Sequence, residues 1–222
     1  MAIQIVMAAA LHGRPRMGKA WIKARKKDPF YRAAKRQAYR SRAAIKLSQI
    51  DRRYGIFRPG DTVVDLGASP GGWAQIARER VGPKGRVLAV DLVRMAPLEG
   101  VEFLPGDFLA PATQARIFEA LRRPADVVLS DMSPRISGHH SYDVARSLDL
   151  ADAVLGFAVR ALRPGGTLLV KVFEGEGYRT YLERAAQHFE AVKGVKPGAS
   201  SARSSEIYVL AVGRLGGRAP GD

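Results

Sequence analysis

The stretch TVVDLGASPGGWAQIA, residues 62 to 77, decides the fold class. An apolar β-branched run ends in an acid, glycines follow at 67, 71 and 72, and an apolar helical pattern begins at once. That order is a strand, a tight loop and a helix, the cradle in which α/β proteins hold a cofactor. Gly67, Gly71 and Gly72 let the backbone approach a ligand closely, and the helix that opens at Trp73 offers unpaired N–H groups to an anion such as a carboxylate. With Ser69 and Pro70 the loop reads D-x-G-x-x-P-G-G, which departs from the dinucleotide pattern G-x-G-x-x-G because position 69 is Ser. The segment has no Lys or Arg, and Asp65 is its only charge. An acid there repels a pyrophosphate and attracts a cation. S-adenosylmethionine, with a carboxylate for the helix end and an ammonium and a sulfonium for Asp65, suits this pattern better than a nucleotide. A purely structural βα turn would use the same glycines, so the loop needs a second signal.

Around this segment, 222 residues that are 46% hydrophobic allow one substantial core, hence one domain with an appendage. No apolar run approaches the ~18–20 residues of a membrane span, and the opening MAIQIVMAAALHG has no basic residue ahead of it, as a signal peptide would. The absence of Cys excludes disulfides, thiolate metal sites and Cys nucleophiles, and is compatible with a cytoplasmic location. The net charge of +15 is unevenly spread: residues 1–53 hold 15 Lys and Arg against the two acids Asp28 and Asp51. The run KARKKDPFYRAAKRQAYRSR interleaves Phe30, Tyr31 and Tyr39 with its cations, which suits RNA phosphates with occasional base stacking. A solvated arm would look the same, whereas a membrane-surface helix would need a larger apolar face. We therefore read 1–38 as a partly flexible basic arm, 39–214 as the domain and 215–222 as a loose tail.

Residues 41–54 place Ala43, Leu47, Ile50 and Tyr54 at helical spacing up to Gly55. Strands are expected at 62–66, 86–90, 101–104, 126–130, 167–173 and 206–213, with a weaker one near 190–195. Between them run apolar stripes such as Val144, Leu148, Ala151, Leu155, Ala158 and Leu162, and Tyr178, Tyr181, Leu182, Ala185 and Phe189. This alternation implies a mostly parallel sheet with helices on both faces, which binds ligands at the carboxyl ends of its strands. Asp65 ends the first strand. Asp91, with Leu92 after it, ends the second and can accept hydrogen bonds from both ribose hydroxyls of an adenosine. Asp107 and Phe108 follow the third, a pair able to bond an exocyclic amine and pack on adenine, and Asp131 follows the fourth. Any one of these acids could simply cap a helix or start a turn; four in register with one rule make a site.

Lys171 stands inside the apolar strand TLLVKVFEG, and Glu206 heads SSEIYVLAVG. A strand Lys can snorkel from an edge, but one at a strand's carboxyl end near Asp131 points to chemistry. His139 and His140 lie in a loop without Cys or ligand-spaced acids, so they read as solvated, with RNA phosphate contact as a minor role; no metal site is expected. Trp73 reads as core packing or as a ligand shelf.

From about Tyr39 to Arg214 the chain resembles the FtsJ/RrmJ family of ribosomal RNA 2'-O-methyltransferases. The segments that carry the resemblance are SRAAIKL around Lys46, DLGASPGGW, VDL at 90–92, GDF at 106–108, SDMSP at 130–134, VKVFEGEG at 170–177 and SARSSEIYVLA at 201–211. It implies a Rossmann-like S-adenosylmethionine-dependent methyltransferase fold, α/β, with a seven-stranded, mostly parallel sheet whose last strand is antiparallel. It also implies a catalytic tetrad on Lys46, Asp131, Lys171 and Glu206. The cofactor contacts expected are Asp65, Gly67, Ser69, Pro70, Gly71, Gly72, Trp73, Asp91, Leu92, Asp107, Phe108 and Asp131. The implied substrate is a uridine of large-subunit ribosomal RNA in the assembled subunit, and the protein is expected to act as a cytoplasmic monomer without metal. The arm before Tyr39 matches the family in charge more than in sequence.

Methyl transfer to a ribose requires a positioned oxygen and removal of its proton. Lys171 is the candidate base if it spends time as a neutral amine; alternatively it stays charged and aligns the hydroxyl. Competing readings are methylation of transfer RNA or another RNA, a non-catalytic ribosome-assembly factor on the same scaffold, and a small-molecule methyltransferase, which the basic arm disfavours.

Overall fold

The computed structural model describes residues 39–201 and 204–216. The expected basic arm, 1–38, and residues 217–222 of the tail lie outside them. Helix α1 (Ala43–Tyr54) buries Ala44, Leu47 and Ile50 along one stripe and stops where Gly55 takes a left-handed conformation, φ 61°, its N–H returning to the Asp51 carbonyl. Then come β1 (Thr62–Leu66), α2 (Gly72–Val81), β2 (Arg86–Asp91), β3 (Val101–Pro105), α3 (Pro111–Ala120), β4 (Ala125–Ser130), α4 (His140–Ala161), β5 (Leu162–Phe173), α5 (Tyr178–Ala186), β6 (Phe189–Val195) and β7 (Glu206–Arg214).

The strands form one seven-stranded sheet in the order β3-β2-β1-β4-β5-β7-β6. β7 runs antiparallel to both of its neighbours, and the other pairings are parallel. Successive side chains of each strand feed opposite faces. Val64, Leu66, Leu88 and Val128 join α3, α4 and α5 in one core, while Val63, Val87, Val127 and Leu129 join α1 and α2 in the other. With both faces covered, the central strands are near-continuously apolar, and β1 is buried at all five positions. The fold is the Rossmann-like one expected, and its antiparallel strand is the last. Strand order reverses between β1 and β4, which opens a crevice at their carboxyl ends.

β5 starts five residues before the expected 167, because Leu162 pairs with Ala125 directly after α4 across an irregularity in the β4 register. RPGG there reads as a turn by composition, yet it is absorbed into the strand. Among the described residues no helix is long and apolar enough to cross a membrane.

Candidate active site

The carboxyl ends of β1 to β4 open on a cavity of about 220 Å³ whose wall includes Gly67, Asp91, Leu92, Asp107, Phe108 and Asp131. A smaller one of about 110 Å³ lies against the loop after β1, between Asp65, Ser69, Pro70, Gly72 and Trp73, and shares Gly67 and Asp131 with the first. The shared residues make them two halves of one cleft. Its far half is set by Asp91, whose carboxylate accepts the Ser69 N–H at 2.8 Å and the Val93 N–H at 2.7 Å, one on each oxygen. Each oxygen keeps a lone pair for a ligand hydroxyl. Asp107 accepts the Leu109 N–H at 3.0 Å and so starts a turn as well as lining the cleft. Phe108 is 4% exposed and meets Phe157 edge to face, which makes it core first and cavity wall second.

Gly67 and Gly72 line the cleft, and protein atoms also pack closely against each of them. A Cβ on Gly67 would fall 2.2 Å from Met132 Cγ, and one on Gly72 would fall 2.1 Å from Ser41 Oγ. Protein atoms therefore take the room that the missing side chains leave. Gly71, at φ 103°, adjoins Arg40 and Met95 and lines neither half of the cleft. Ser69–Pro70 is a cis peptide. Trp73 is buried, and its indole N–H donates to the Ala43 carbonyl at 2.9 Å, so it ties α2 to α1 while giving the smaller half one wall.

The segment before α1 straps this loop down. The Arg40 guanidinium donates to the carbonyls of Ala96 at 2.5 Å and Pro97 at 2.6 Å, in the loop after β2. Its backbone N–H donates to Gln75 Oε1 on α2 at 3.2 Å. One residue thus bridges both sides of the cleft, a role that sequence reading missed because carbonyl partners leave no mark in the sequence.

The four tetrad residues, drawn from α1, the end of β4, β5 and β7, converge. The Lys46 ammonium donates to Glu206 Oε2 at 3.0 Å. Lys171 Nζ lies 2.7 Å from the Asp131 carbonyl oxygen, 3.1 Å from Asp131 Oδ1 and 3.9 Å from Glu206 Oε1. β5 sits between β4 and β7, so Lys171 has no sheet edge from which to snorkel. Its side chain and that of Lys46 are each 7% exposed, and Asp131 and Glu206 carry the cluster's opening to solvent. Tyr208 completes the group: its hydroxyl donates to Asp131 Oδ1 at 2.9 Å, and its ring lies 5.7 Å from Lys46 Nζ. It stands opposite Lys171 in the β5–β7 register and two residues from Glu206, so strand alternation was the signal that could have found it.

Electrostatics separate the acids. Burial pushes the Glu206 carboxyl up, but the charges of Lys46 and Lys171, with Arg42 adding, hold it below its usual range and keep it ionised. Burial, the Asp131 charge and the bond to Asp131 keep Tyr208 protonated, well above an ordinary phenol. Asp65 is 1% exposed. Neither of its oxygens has a well-formed hydrogen bond, although the Ala74 N–H is turned toward it, and burial, with Asp131 and Asp91 nearby, pushes it up to about 8. An orphaned carboxyl in a cleft wall is the place for a ligand cation. The N-terminus of α2, with no side-chain cap and no acid in its first turn, suits the carboxylate of the same ligand. The residues present thus fit S-adenosylmethionine. Among the described residues no cluster of His, Asp and Glu could hold a metal ion, and His139 and His140 are exposed.

The profile of the family described as FtsJ-like methyltransferase matches residues 39–214. The chain is 46% identical over 202 residues to the ribosomal RNA large subunit methyltransferase E of Nitrosospira multiformis, covering 90% of this chain and 98% of that one. A solved Plasmodium falciparum structure described as a ribosomal RNA methyltransferase superposes with TM-score 0.74 at 27% identity, covering 81% of this chain and all of that one. Aeropyrum pernix fibrillarin, solved with natively bound S-adenosyl-L-methionine, shares the fold at TM-score 0.52 and 19% identity, covering 79% and 76% of the two chains.

Proposed function

The chain belongs to the FtsJ-like methyltransferase family, and from that premise we propose that it transfers a methyl group from S-adenosylmethionine to a ribose 2'-hydroxyl of large-subunit ribosomal RNA, at a uridine of the assembled subunit. The observation that carries the reading is the convergence of Lys46, Asp131, Lys171 and Glu206 at a cleft whose wall holds a buried, unpartnered carboxyl. Asp65 and the α2 N-terminus would hold the charged end of the donor, Asp91 its ribose, and Asp107 with Phe108 its base. Bound there, the donor supplies a methyl group already activated on a sulfonium.

The chain's own task is to orient the acceptor hydroxyl and take its proton. A neutral amine has two N–H groups and one lone pair, and the two contacts of Lys171 to Asp131 use the former and leave the latter for the hydroxyl proton. Tyr208 and Lys171 together pin Asp131, which fixes the direction of that lone pair. Glu206, kept ionised beside the Lys46 ammonium, balances the ammonium that forms at Lys171 as the proton arrives. A binding protein on the same scaffold would have no use for a Lys buried inside a central strand, where an ionisable group is costly.

Incubation with methyl-labelled donor and, separately, transfer RNA, free ribosomal RNA and undermethylated large subunits tests the proposal. Label at a uridine 2'-oxygen in the subunit is the expected result. Label confined to transfer RNA overturns the substrate, and label on a base overturns the chemistry.

A further inference from the structure

Five large hydrophobic side chains stand exposed among the described residues, and three of them, Val93, Ile136 and Tyr142, occupy loops or helix starts at the strands' carboxyl edge, beside the cleft. Ile136 is 60% and Tyr142 55% exposed. Ile136 lies in the segment that joins Asp131 to α4 and Tyr142 in the first turn of α4, and that junction is held in shape. The buried carboxylate of Asp143 accepts the Ser137 N–H and hydroxyl, each at 2.8 Å, and the Gly138 N–H at 3.3 Å. A loop clamped by three hydrogen bonds to one carboxylate is a fixed surface, and exposing apolar groups on a fixed surface beside a reaction centre calls for a ligand.

The chemistry of that ligand follows from the charges around the ring. The Arg146 guanidinium lies 5.5 Å from the Tyr142 ring centre, which stiffens the ring while more than half of the residue stays open to solvent. An aromatic plane is what an exposed, arginine-backed tyrosine accepts, and an RNA substrate supplies one in each unstacked base.

We infer that Tyr142, backed by Arg146, is a stacking shelf for an unpaired nucleobase adjoining the methylated ribose. The shelf rests on the reading of the cleft as an RNA ribose methyltransferase site and names the substrate feature it selects: single-stranded RNA with a base turned out next to the acceptor. Asp143 is its positioning residue and Tyr142 its contact.

Binding of a short fluorescein-labelled single-stranded RNA, followed by anisotropy with S-adenosylhomocysteine present, tests the shelf in the full chain. Tyr142→Ala weakens binding by about tenfold, within the range for loss of one stacked base, Tyr142→Phe restores it, and neither changes donor affinity measured separately by calorimetry. In turnover with RNA, Tyr142→Ala raises KM and leaves kcat near that of the parent. The shelf is overturned if the parent binds RNA and Tyr142→Ala binds it within twofold of the parent. It is also overturned if Tyr142→Ala is defective only on assembled subunits, which makes the patch a contact for a protein. A parent that binds donor yet methylates neither free RNA nor undermethylated large subunits overturns the functional reading itself, an outcome distinct from both.

Discussion

Lys171 and Asp65 are both buried ionisable groups, and their surroundings give them opposite tasks. Lys171 has its N–H groups directed at Asp131, so Lys171→Ala removes the amine proposed to face the acceptor while leaving the walls of the cleft intact. Turnover should fall at least about 100-fold, the usual scale of base catalysis, with donor affinity within a few-fold of the parent; single-turnover rates and calorimetry report the two separately. Retention of a tenth of the rate would remove Lys171 from proton transfer. Asp65 lacks partners and is pushed from 3.8 to about 8, so between those values the folded ligand-free protein holds a proton that the unfolded chain has released. The stability linked to Asp65 is therefore complete at low pH, declines as pH rises through that window and levels off above it. Asp65→Asn keeps the neutral shape, so its melting temperature should exceed that of the parent by a margin that grows from pH 5 to 8. Each kcal/mol corresponds to about 2–4 °C in a chain of this size. Donor binding should respond in the opposite sense: it weakens in the variant and, in the parent, tightens with rising pH as the carboxyl becomes free to ionise. A melting difference independent of pH would show that Asp65 is already charged in the free protein.

Elements explain which parts of the site could be read in the sequence. Strand-end acids were legible because a parallel sheet delivers the residues at or just past the end of each strand to one edge, so Asp65, Asp91, Asp107 and Asp131 needed only approximate strand boundaries. Lys171 was legible because a charge within TLLVKVF breaks an otherwise apolar run. Lys46 shows no such break: it lies on an amphipathic helix where a Lys is ordinary, and only family resemblance singled it out. Tyr208 stands in the apolar run IYVLAV without a mark of its own, and Arg40 bonds carbonyls 56 and 57 residues away, contacts that no local pattern encodes. That strap is the element through which the chain preceding α1 meets the donor site. Arg40→Ala frees the loop after β2, which carries Asp91, Leu92 and Val93 into the cleft, without touching a catalytic side chain. Donor affinity should drop about 3- to 30-fold, on the scale of one or two charge-assisted hydrogen bonds, while the rate at saturating donor stays near that of the parent. Arg40→Lys, which cannot span two carbonyls with a planar fork, should restore little. Equal loss of rate at saturating donor would instead place Arg40 in the chemistry.

At the scale of the whole molecule, charge and chemistry are divided between regions of the chain. Residues 1–53 hold 15 of the 36 Lys and Arg but only two of the 21 acids, so residues 54–222 are close to electrically balanced. The stretch from residue 54 onward draws little on phosphate attraction, and long-range capture of RNA falls to the basic end, residues 1–53. Capture of this kind releases counterions, so binding weakens linearly in log–log form as salt rises, by about 0.7 per phosphate neutralised on a single strand. Changing Lys23, Arg25, Lys26 and Lys27 together to Gln should therefore flatten the slope by about 3 if each meets a phosphate. Tyr142→Ala should lower affinity at every salt concentration with the slope unchanged, because stacking releases no ions. The two signatures are independent, and measuring both variants on one RNA separates attraction to the backbone from recognition beside the acceptor. If the quadruple variant keeps the parent slope, the basic end does not carry the phosphate contacts, and the cations of the domain face, Arg94, Arg135 and Arg146 among them, would have to supply the attraction instead.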